Sequence, residues 1–475
     1  MISKLVIPKP TKVCHVCTAL TYTNAELHVG HIYELIIANV MVEYLKIWYK
    51  AKLITGVDDH GRKIETAARL QAVHPIKLAN VNANKALAVI TKLAIPVSDW
   101  VATVHKRQAR RTADRLGSVF RIRKWVYKMC YSGWYLPSAD VFCSSEDVKF
   151  SQNGMYVWND QPVEWTQEKG IFINYDAVRS KLIAVYRAGA IRTPGVDLRT
   201  VVAAVISARS VCITRQKTTS YGLKLNAGND ELTLWVWVDA LLAYANSHTK
   251  NKLHIVGRDV FSFHVTYYVA LLLCLGVSLP KAIIRHSLVS LEHKKVSKTL
   301  GSHLTRTTLE TQPLIKYTLC TKSNKASVVI SAEDEQKSNA ELANTLGNLT
   351  KRMAQLVARH GMRLGRLSTS DWIAFCYFLT TPRVVKHCLM NFRLNVIASL
   401  MLKRAAWTNE HITKLKLWTQ SYASHKLWVY AHTTASVLCW LKPMIGEKAN
   451  AMIKSLFSAD ATFTPFYCRS PSSPN

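Results

Sequence analysis

Acidic residues are scarce in this chain of 475 residues: 30 Asp and Glu stand against 62 Lys and Arg, a formal net charge of +32. A chain so short of negative charge repels its own kind and is drawn to polyanions. Nucleic acid is the leading partner class and an anionic membrane surface the second. Glycine (18) and proline (14) are also few, and no Gly-X-Y period appears, which excludes collagen-like and low-complexity chains. Long apolar runs are missing. The most apolar window, residues 265–279, has the length of a buried core helix and falls short of the ~20 residues that cross a bilayer. The opening MISKLVIPKPTKV has two prolines and no apolar core, so it does not read as a secretory signal. The 11 cysteines are odd in number and scattered. They fit reduced thiols rather than a disulfide framework.

What is present is ample core material, 49% hydrophobic residues, enough for about three domains at ~150 residues each. Residues 13–22 read as a buried strand followed by turn residues Thr23 and Asn24. Helical periodicity then runs from about 29 to 49. A second short strand at 53–57 ends in Asp58-Asp59-His60-Gly61, and another helix begins near Lys63. Strand, helix, strand, helix predicts a parallel α/β sheet. Residues 102–198 break the rhythm, first helical and very basic, then short and turn-rich around 133–170, and read as an insertion. The rhythm resumes with strands at 232–238 and 254–256 and a helix after Val265. From about Glu333 onward only helical periods appear. The expected fold is a Rossmann-like α/β domain carrying a connective insertion, followed by an all-α bundle.

Two short motifs carry chemistry. His28-Val29-Gly30-His31 stands between a strand and the helix it opens. A helix N-terminus offers free N–H groups to a phosphate, Gly30 leaves room for a flat ring on the backbone, and two imidazoles can donate to phosphate oxygens as charge develops. As a bland alternative, the two histidines cap and pack. Far downstream, Lys294-Lys295-Val296-Ser297-Lys298-Thr299 suits a loop that grips polyphosphate through point charges; the alternative is a solvated basic loop. Distance in sequence is no objection, because a sheet gathers the ends of distant strands.

At these motifs the chain resembles class I aminoacyl-tRNA synthetases, and the methionyl-tRNA synthetase family most closely. HVGH is similar to the HIGH motif and KVSKT to KMSKS. Longer matches point to methionine: the residues 19–25 before HVGH, TGVDDHG at 55–61, WVDAL at 237–241, VGRD at 256–259 with Phe263-His264, and NAELANTLGNLTKR at 339–352. They run in family order over nearly the whole chain. The resemblance implies domains at 1–104 and 200–330 (catalytic), 105–199 (connective insertion) and 331–475 (anticodon-binding). It implies that His28 and His31 stabilise the α-phosphate of ATP, and that Gly30 and Gly257 admit adenosine. Asp259 would accept ribose hydroxyls, while Lys295, Ser297 and Lys298 hold the phosphates. Asp58, with the Leu20 carbonyl, would take the methionine ammonium group, and Tyr22, Trp237 and His264 would shape the thioether pocket. Asn348 and Arg352, four apart on one helix face, would read the anticodon, with Trp407 as a stacking aromatic in spite of Ala406 where the family has proline.

Other departures carry expectations of their own. Many relatives hold zinc on paired CxxC motifs in the insertion; here Cys143 stands alone, with Glu146 where a second cysteine would fall. Four ligands cannot be assembled, so no structural zinc is expected. Cys14 and Cys17 form one CxxC on the strand leading to the site and read as core. The insertion is too short for a hydrolytic editing domain. The expected partners are tRNA(Met), L-methionine and ATP with Mg2+, with no membrane. The chain ends soon after the helical region with no appended module, which makes a monomer the expectation, in the cytoplasm or an organelle matrix. A different class I synthetase and an inactive basic RNA-binding relative are the competing readings.

Overall fold

The computed structural model describes residues 10–105, 112, 114, 116–117, 125–137, 141–143, 145–215, 221–227, 230–244, 249, 251–291, 312–323, 327–362, 381–419 and 424–457. Two compact units are present, one of residues 1–34 and 45–285 and one of residues 35–44 and 286–475. The expected α/β domain and helical bundle are both found.

The first unit is built on a parallel sheet. Strand β1 (Val13–Thr18) lies between β3 (Lys50–Asp58) and β15 (Lys252–Gly257), parallel to both. Strand β2 (Thr21–Tyr22) pairs with the far end of β3, β4 (Asp99–Ala102) pairs parallel with β3, and β16 (Ala282–His286) closes the other edge. All six residues of β15 are buried, as expected for a parallel strand covered on both faces. The approach of β4 to β3 requires glycine at 56, where a Cβ would lie 1.8 Å from the Val101 carbonyl oxygen. Helix α1 (Val29–Leu45) follows β2, and α2 (Arg62–Leu70) and α3 (Pro75–Lys92) follow β3.

Three expectations need correction. The strand at 13–22 is broken at Ala19 and Leu20, because their amides bond to side chains instead of a neighbouring strand: Ala19 N–H to Glu34 Oε1 at 2.7 Å and Leu20 N–H to Tyr244 Oη at 2.7 Å. The stretch at 232–238 is not one strand. Strand β14 (Asp230–Leu234) ends before α6 (Val236–Tyr244), and the Trp235 carbonyl already accepts the amides of Val238 and Asp239. The apolar, β-rich composition hides that helix start. The insertion holds longer strands than its turn residues suggest. Strands β5 (Val126–Leu136) and β10 (Glu164–Ile173) pair antiparallel over ten positions, with short strands β6 (Val141–Phe142), β7 (Lys149–Phe150), β8 (Tyr156–Trp158) and β9 (Gln161–Pro162) between them. The very basic run at 106–111 lies outside the described residues.

Beyond β10 come α4 (Tyr175–Arg187) and α5 (Leu198–Ser207), then short strands β11 (Val211–Cys212), β12 (Thr214–Arg215) and β13 (Lys224–Ala227). Ile171, Ile173, Tyr175, Val178 and Leu182 from this insertion share one buried cluster with Val236, Leu241, Val256 and Val269. One core therefore fixes insertion and sheet together. After β15 the chain forms α7 (Arg258–Phe263), a π turn at His264–Tyr268 and α8 (Val269–Leu275) without a break. By length and composition alone this segment could cross a membrane, but Val265, Val269, Ala270, Leu271 and Leu272 are at most 1% exposed, inside the core.

In the second unit, β17 (Val289–Leu291) pairs parallel with β18 (Val328–Ile330), on either side of α9 (Gln312–Thr321). Helix α10 (Ala332–Glu341) opens with a reciprocal cap between Ser331 and Asp334. A π turn (Leu342–Gly347) leads into α11 (Asn348–His360). Helices α12 (Leu394–Lys414), α13 (Ser424–Ile445) and α14 (Glu447–Phe457) complete the bundle.

Candidate active site

Because β3, β1 and β15 are adjacent and parallel, their carboxyl ends open on one side of the sheet, where α/β folds place ligands. The sequence-predicted residues arrive there from each strand. His28, Gly30 and His31 follow β1 and β2, Asp58 ends β3, Gly257 ends β15 and Asp259 lies just beyond it. Gly257 caps α7, and Asp259 is exposed in its first turn.

The two histidines are arranged by their own backbone. The His28 amide donates to His31 Nδ1 at 3.3 Å, and the Gly30 amide donates to His28 Nδ1 at 3.1 Å. Each Nδ1 therefore carries the lone pair, so a neutral ring carries its hydrogen on Nε2. The rings stack with centroids 3.6 Å apart, and a Cβ at position 30 would meet the His28 ring at 3.0 Å. Glycine is thus what allows the imidazole to fold back over the helix start. The result is two Nε2–H donors at a helix N-terminus, an arrangement suited to phosphate oxygens.

Asp58 sits at the buried bottom of the site, 2% exposed. Tyr22 is its register partner in the β2–β3 pairing. Thr103, just past β4, accepts the Asp59 amide at 2.9 Å and donates to Asp58 Oδ1 at 3.4 Å. Burial, then the carboxylates of Asp239 and Asp59, push the Asp58 carboxyl well above the usual range; burial also raises Asp59. A buried carboxylate cluster of this kind is unfavourable when empty and favours a bound cation.

Aromatic residues form a wall around Trp237. The Trp237 ring lies 4.4 Å from Phe263 and stacks 6.0 Å from Trp235. His264 donates Nδ1–H to the Val260 carbonyl at 2.9 Å, and burial holds its pKa down at about 4, so the ring is neutral with a bare Nε2. That Nε2 and the Trp237 Nε1–H are both buried without a hydrogen-bond partner. Buried polar atoms left without a partner cost roughly 1–3 kcal/mol each, so both are available to a water or a ligand group. Lys63 Nζ lies 4.8 Å from the Tyr22 ring centroid.

Sequence reasoning missed Tyr244. Its ring faces His254 and His264, and its oxygen accepts the Leu20 amide. It thereby links Leu20 to the His264 wall and retains its own proton to donate. Its place near the end of α6, seven residues after Trp237, was the available signal. Lys295, Ser297 and Lys298 lie outside the described residues.

Cys143 is buried, and burial pushes its thiol up to about 11, the opposite of a thiolate ligand. Glu146 is exposed in a short turn. Around them Trp134, Tyr156, Trp165 and Phe150 form a chain of ring contacts 4.3–5.4 Å long. Among the described residues no group of three or more His, Cys, Asp or Glu could hold a metal. Cys14 and Cys17 are buried, as read from sequence.

In the second unit Asn348 is exposed at the start of α11, and Arg352 follows one turn later. Arg352 is held by α12, Nη1 donating to Asn409 Oδ1 at 2.9 Å and Nη2 to Thr413 Oγ1 at 3.1 Å. Its guanidinium lies 5.8 Å from the ring of Trp418, which is 39% exposed. Trp407 instead lies tilted against His411, centroids 3.8 Å apart, and near Tyr430. Nothing in the sequence separates Trp418 from the other tryptophans; the turn after α12, with Lys416 at φ 45°, places it.

The sheet and the HVGH helix start define a class I synthetase, and a family model described as "tRNA synthetases class I (M)" matches residues 14–152 and 152–354. The chain belongs to this family, as its resemblance to methionyl-tRNA synthetases anticipated. The methionine–tRNA ligase of Rickettsia conorii is 24% identical over 473 residues, covering 93% of this chain and 92% of that protein. The methionine–tRNA ligase of Brucella suis is 25% identical over 377 residues, covering 73% and 71%. Mycobacterium tuberculosis methionyl-tRNA synthetase in complex with methionyl-adenylate superposes with a TM-score of 0.85 at 23% identity, over 94% of both chains.

Proposed function

We propose that this protein is a methionine–tRNA ligase that activates L-methionine with ATP and transfers it to tRNA(Met). The family match, relatives named methionine–tRNA ligase and a related fold that binds methionyl-adenylate support the reading. The observation that carries the methionine assignment is a buried Asp58 carboxyl at the end of β3 in the same unit as the aromatic cluster of Trp235, Trp237 and Phe263. Asp58 offers an anion for an ammonium group, and the cluster offers polarisable rings for a sulfur.

In the first step a methionine carboxylate oxygen attacks the α-phosphorus of Mg-ATP, the bond from that phosphorus to the bridging oxygen breaks, and pyrophosphate leaves. His28 and His31 donate through Nε2–H to the α-phosphate oxygens as charge builds there. Gly30 and Gly257 admit adenosine, and Asp259 accepts from its ribose. Lys295, Ser297 and Lys298 hold the departing phosphates. Asp58, with the Leu20 carbonyl, orients the ammonium group. Tyr22, Trp237 and His264 enclose the thioether, and Tyr244 donates its hydroxyl proton towards the sulfur. In the second step the terminal ribose 2′-hydroxyl of tRNA attacks the acyl carbonyl and AMP leaves.

The catalytic domain comprises residues 1–104 and 200–330 around a connective insertion at 105–199 that folds without zinc. Residues 331–475 read the anticodon through Asn348 and Arg352, with a tryptophan to stack a base. The enzyme acts as a monomer in the cytoplasm or an organelle matrix. Pyrophosphate exchange into ATP, run with each of the twenty amino acids, tests the reading. Exchange with methionine alone is expected, whereas exchange with another amino acid, or with none, overturns it.

A further inference from the structure

The end of β3 and the loop after it are tied to three separate parts of the first unit. Asp58 and the Asp59 amide meet Thr103. The Gly61 amide donates to the Tyr221 carbonyl at 3.2 Å. Between them His60, 8% exposed, places Nδ1 2.8 Å from Asp239 Oδ2. Asp239, 1% exposed, accepts on its other oxygen from Thr112 of the insertion at 3.2 Å. The edge of Tyr221 closes over the imidazole with centroids 5.4 Å apart. Asp239 stands two residues after Trp237 in the first turns of α6, and His60 stands two residues after Asp58. One short hydrogen bond therefore joins the segment bearing the buried carboxylate to the segment bearing the aromatic wall.

Resting on the methionine-activating reading, we infer that His60 and Asp239 are a positioning pair that sets the spacing between Asp58 and Trp237, and so the fit of a short zwitterion with an apolar tail. Neither side chain touches the reacting atoms. A buried carboxylate is costly without a donor, so a pair serving cohesion alone would be replaceable by apolar side chains of similar volume. Here the bond matters for its length, because it holds the two segments at one separation. Positional precision of this sort enters amino-acid affinity rather than the nucleotide site at the HVGH helix.

The test measures methionine-dependent pyrophosphate exchange and, separately, calorimetric binding of methionine without ATP. The variants are His60→Ala, His60→Asn, Asp239→Ala and the double alanine variant. His60→Ala and Asp239→Ala are each expected to raise KM for methionine roughly tenfold to a hundredfold, with KM for ATP changed less than about twofold. The double variant should be no worse than the poorer single one, as for two partners of one bond. His60→Asn, whose amide N–H can reach Asp239 from nearly the same point, should recover most of the loss. Unchanged methionine binding in His60→Ala overturns the inference. So do parallel rises in both KM values, additive losses, or an Asn variant as poor as the Ala variant. A wild-type protein that neither binds methionine nor exchanges with it overturns the functional reading instead.

Discussion

Tyr244 Oη accepts the amide hydrogen of Leu20 at 2.7 Å, joining the break in the first strand to a helix more than two hundred residues later. The phenol is wholly buried, and burial pushes its pKa well above the usual range, so it stays protonated. Tyr244→Phe leaves the Leu20 amide unpaired, at a cost of about 1–3 kcal/mol. The expected result is a lower Tm together with a rise in KM for methionine of roughly tenfold, and little change in KM for ATP. Methionine kinetics equal to wild type would remove Tyr244 from the pocket.

Asp58 makes a prediction of opposite sign for stability and for binding. Its folded pKa is raised above the unfolded value, so the neutral form suits the empty site. The stability this provides is present at low pH and is lost as pH rises through the folded pKa. Asp58→Asn should therefore raise the Tm of the unliganded protein at neutral pH by about 2 °C, on the order of 1 kcal/mol, and flatten its fall with pH. The same change should abolish methionine binding. In the wild type, methionine affinity should weaken as pH drops through that pKa, because the ammonium group needs the carboxylate. Thermal melts from pH 5 to 9 with and without methionine decide both points: an asparagine variant that still binds methionine refutes the second, and one no more stable than wild type without methionine refutes the first.

His31 should act on rate. Its Nδ1 is occupied by the His28 amide, which directs Nε2–H to where charge develops. His31→Ala is expected to slow pyrophosphate exchange roughly a hundredfold or more while methionine binding by calorimetry is unchanged. Exchange near the wild-type rate would show that the ring only packs.

The bundle offers a comparison of two tryptophans. Arg352 is fixed by Asn409 and Thr413 with Trp418 beside it, whereas Trp407 lies against His411. Arg352→Ala and Trp418→Ala should each slow aminoacylation of tRNA with a CAU anticodon by about 1–3 kcal/mol in transition-state terms. Trp407→Ala should act mainly through Tm. Exchange without tRNA should be untouched by the first two. Equal losses on matched and mismatched anticodons would reduce Arg352 to a phosphate contact.

The sequence alone determined the α/β start, the helical second half, the HVGH helix opening and the carboxylate after the second strand. Each of these is local: periodicity and turn chemistry act over a few residues, and Gly30 is dictated by the imidazole two positions away. Tertiary structure alone decided the rest. The break at Ala19 and Leu20 exists because Glu34 and Tyr244 supply partners the strand itself lacks. The run before Trp237 reads as strand by composition, and it turns helical where the Trp235 carbonyl takes two amides. Nothing along the chain gives His60 a partner; Asp239, 179 positions away, meets it at 2.8 Å. Trp418 was one tryptophan among 13. Pairings of this kind depend on which distant segments a packed core brings together, and no periodicity along the chain encodes that choice.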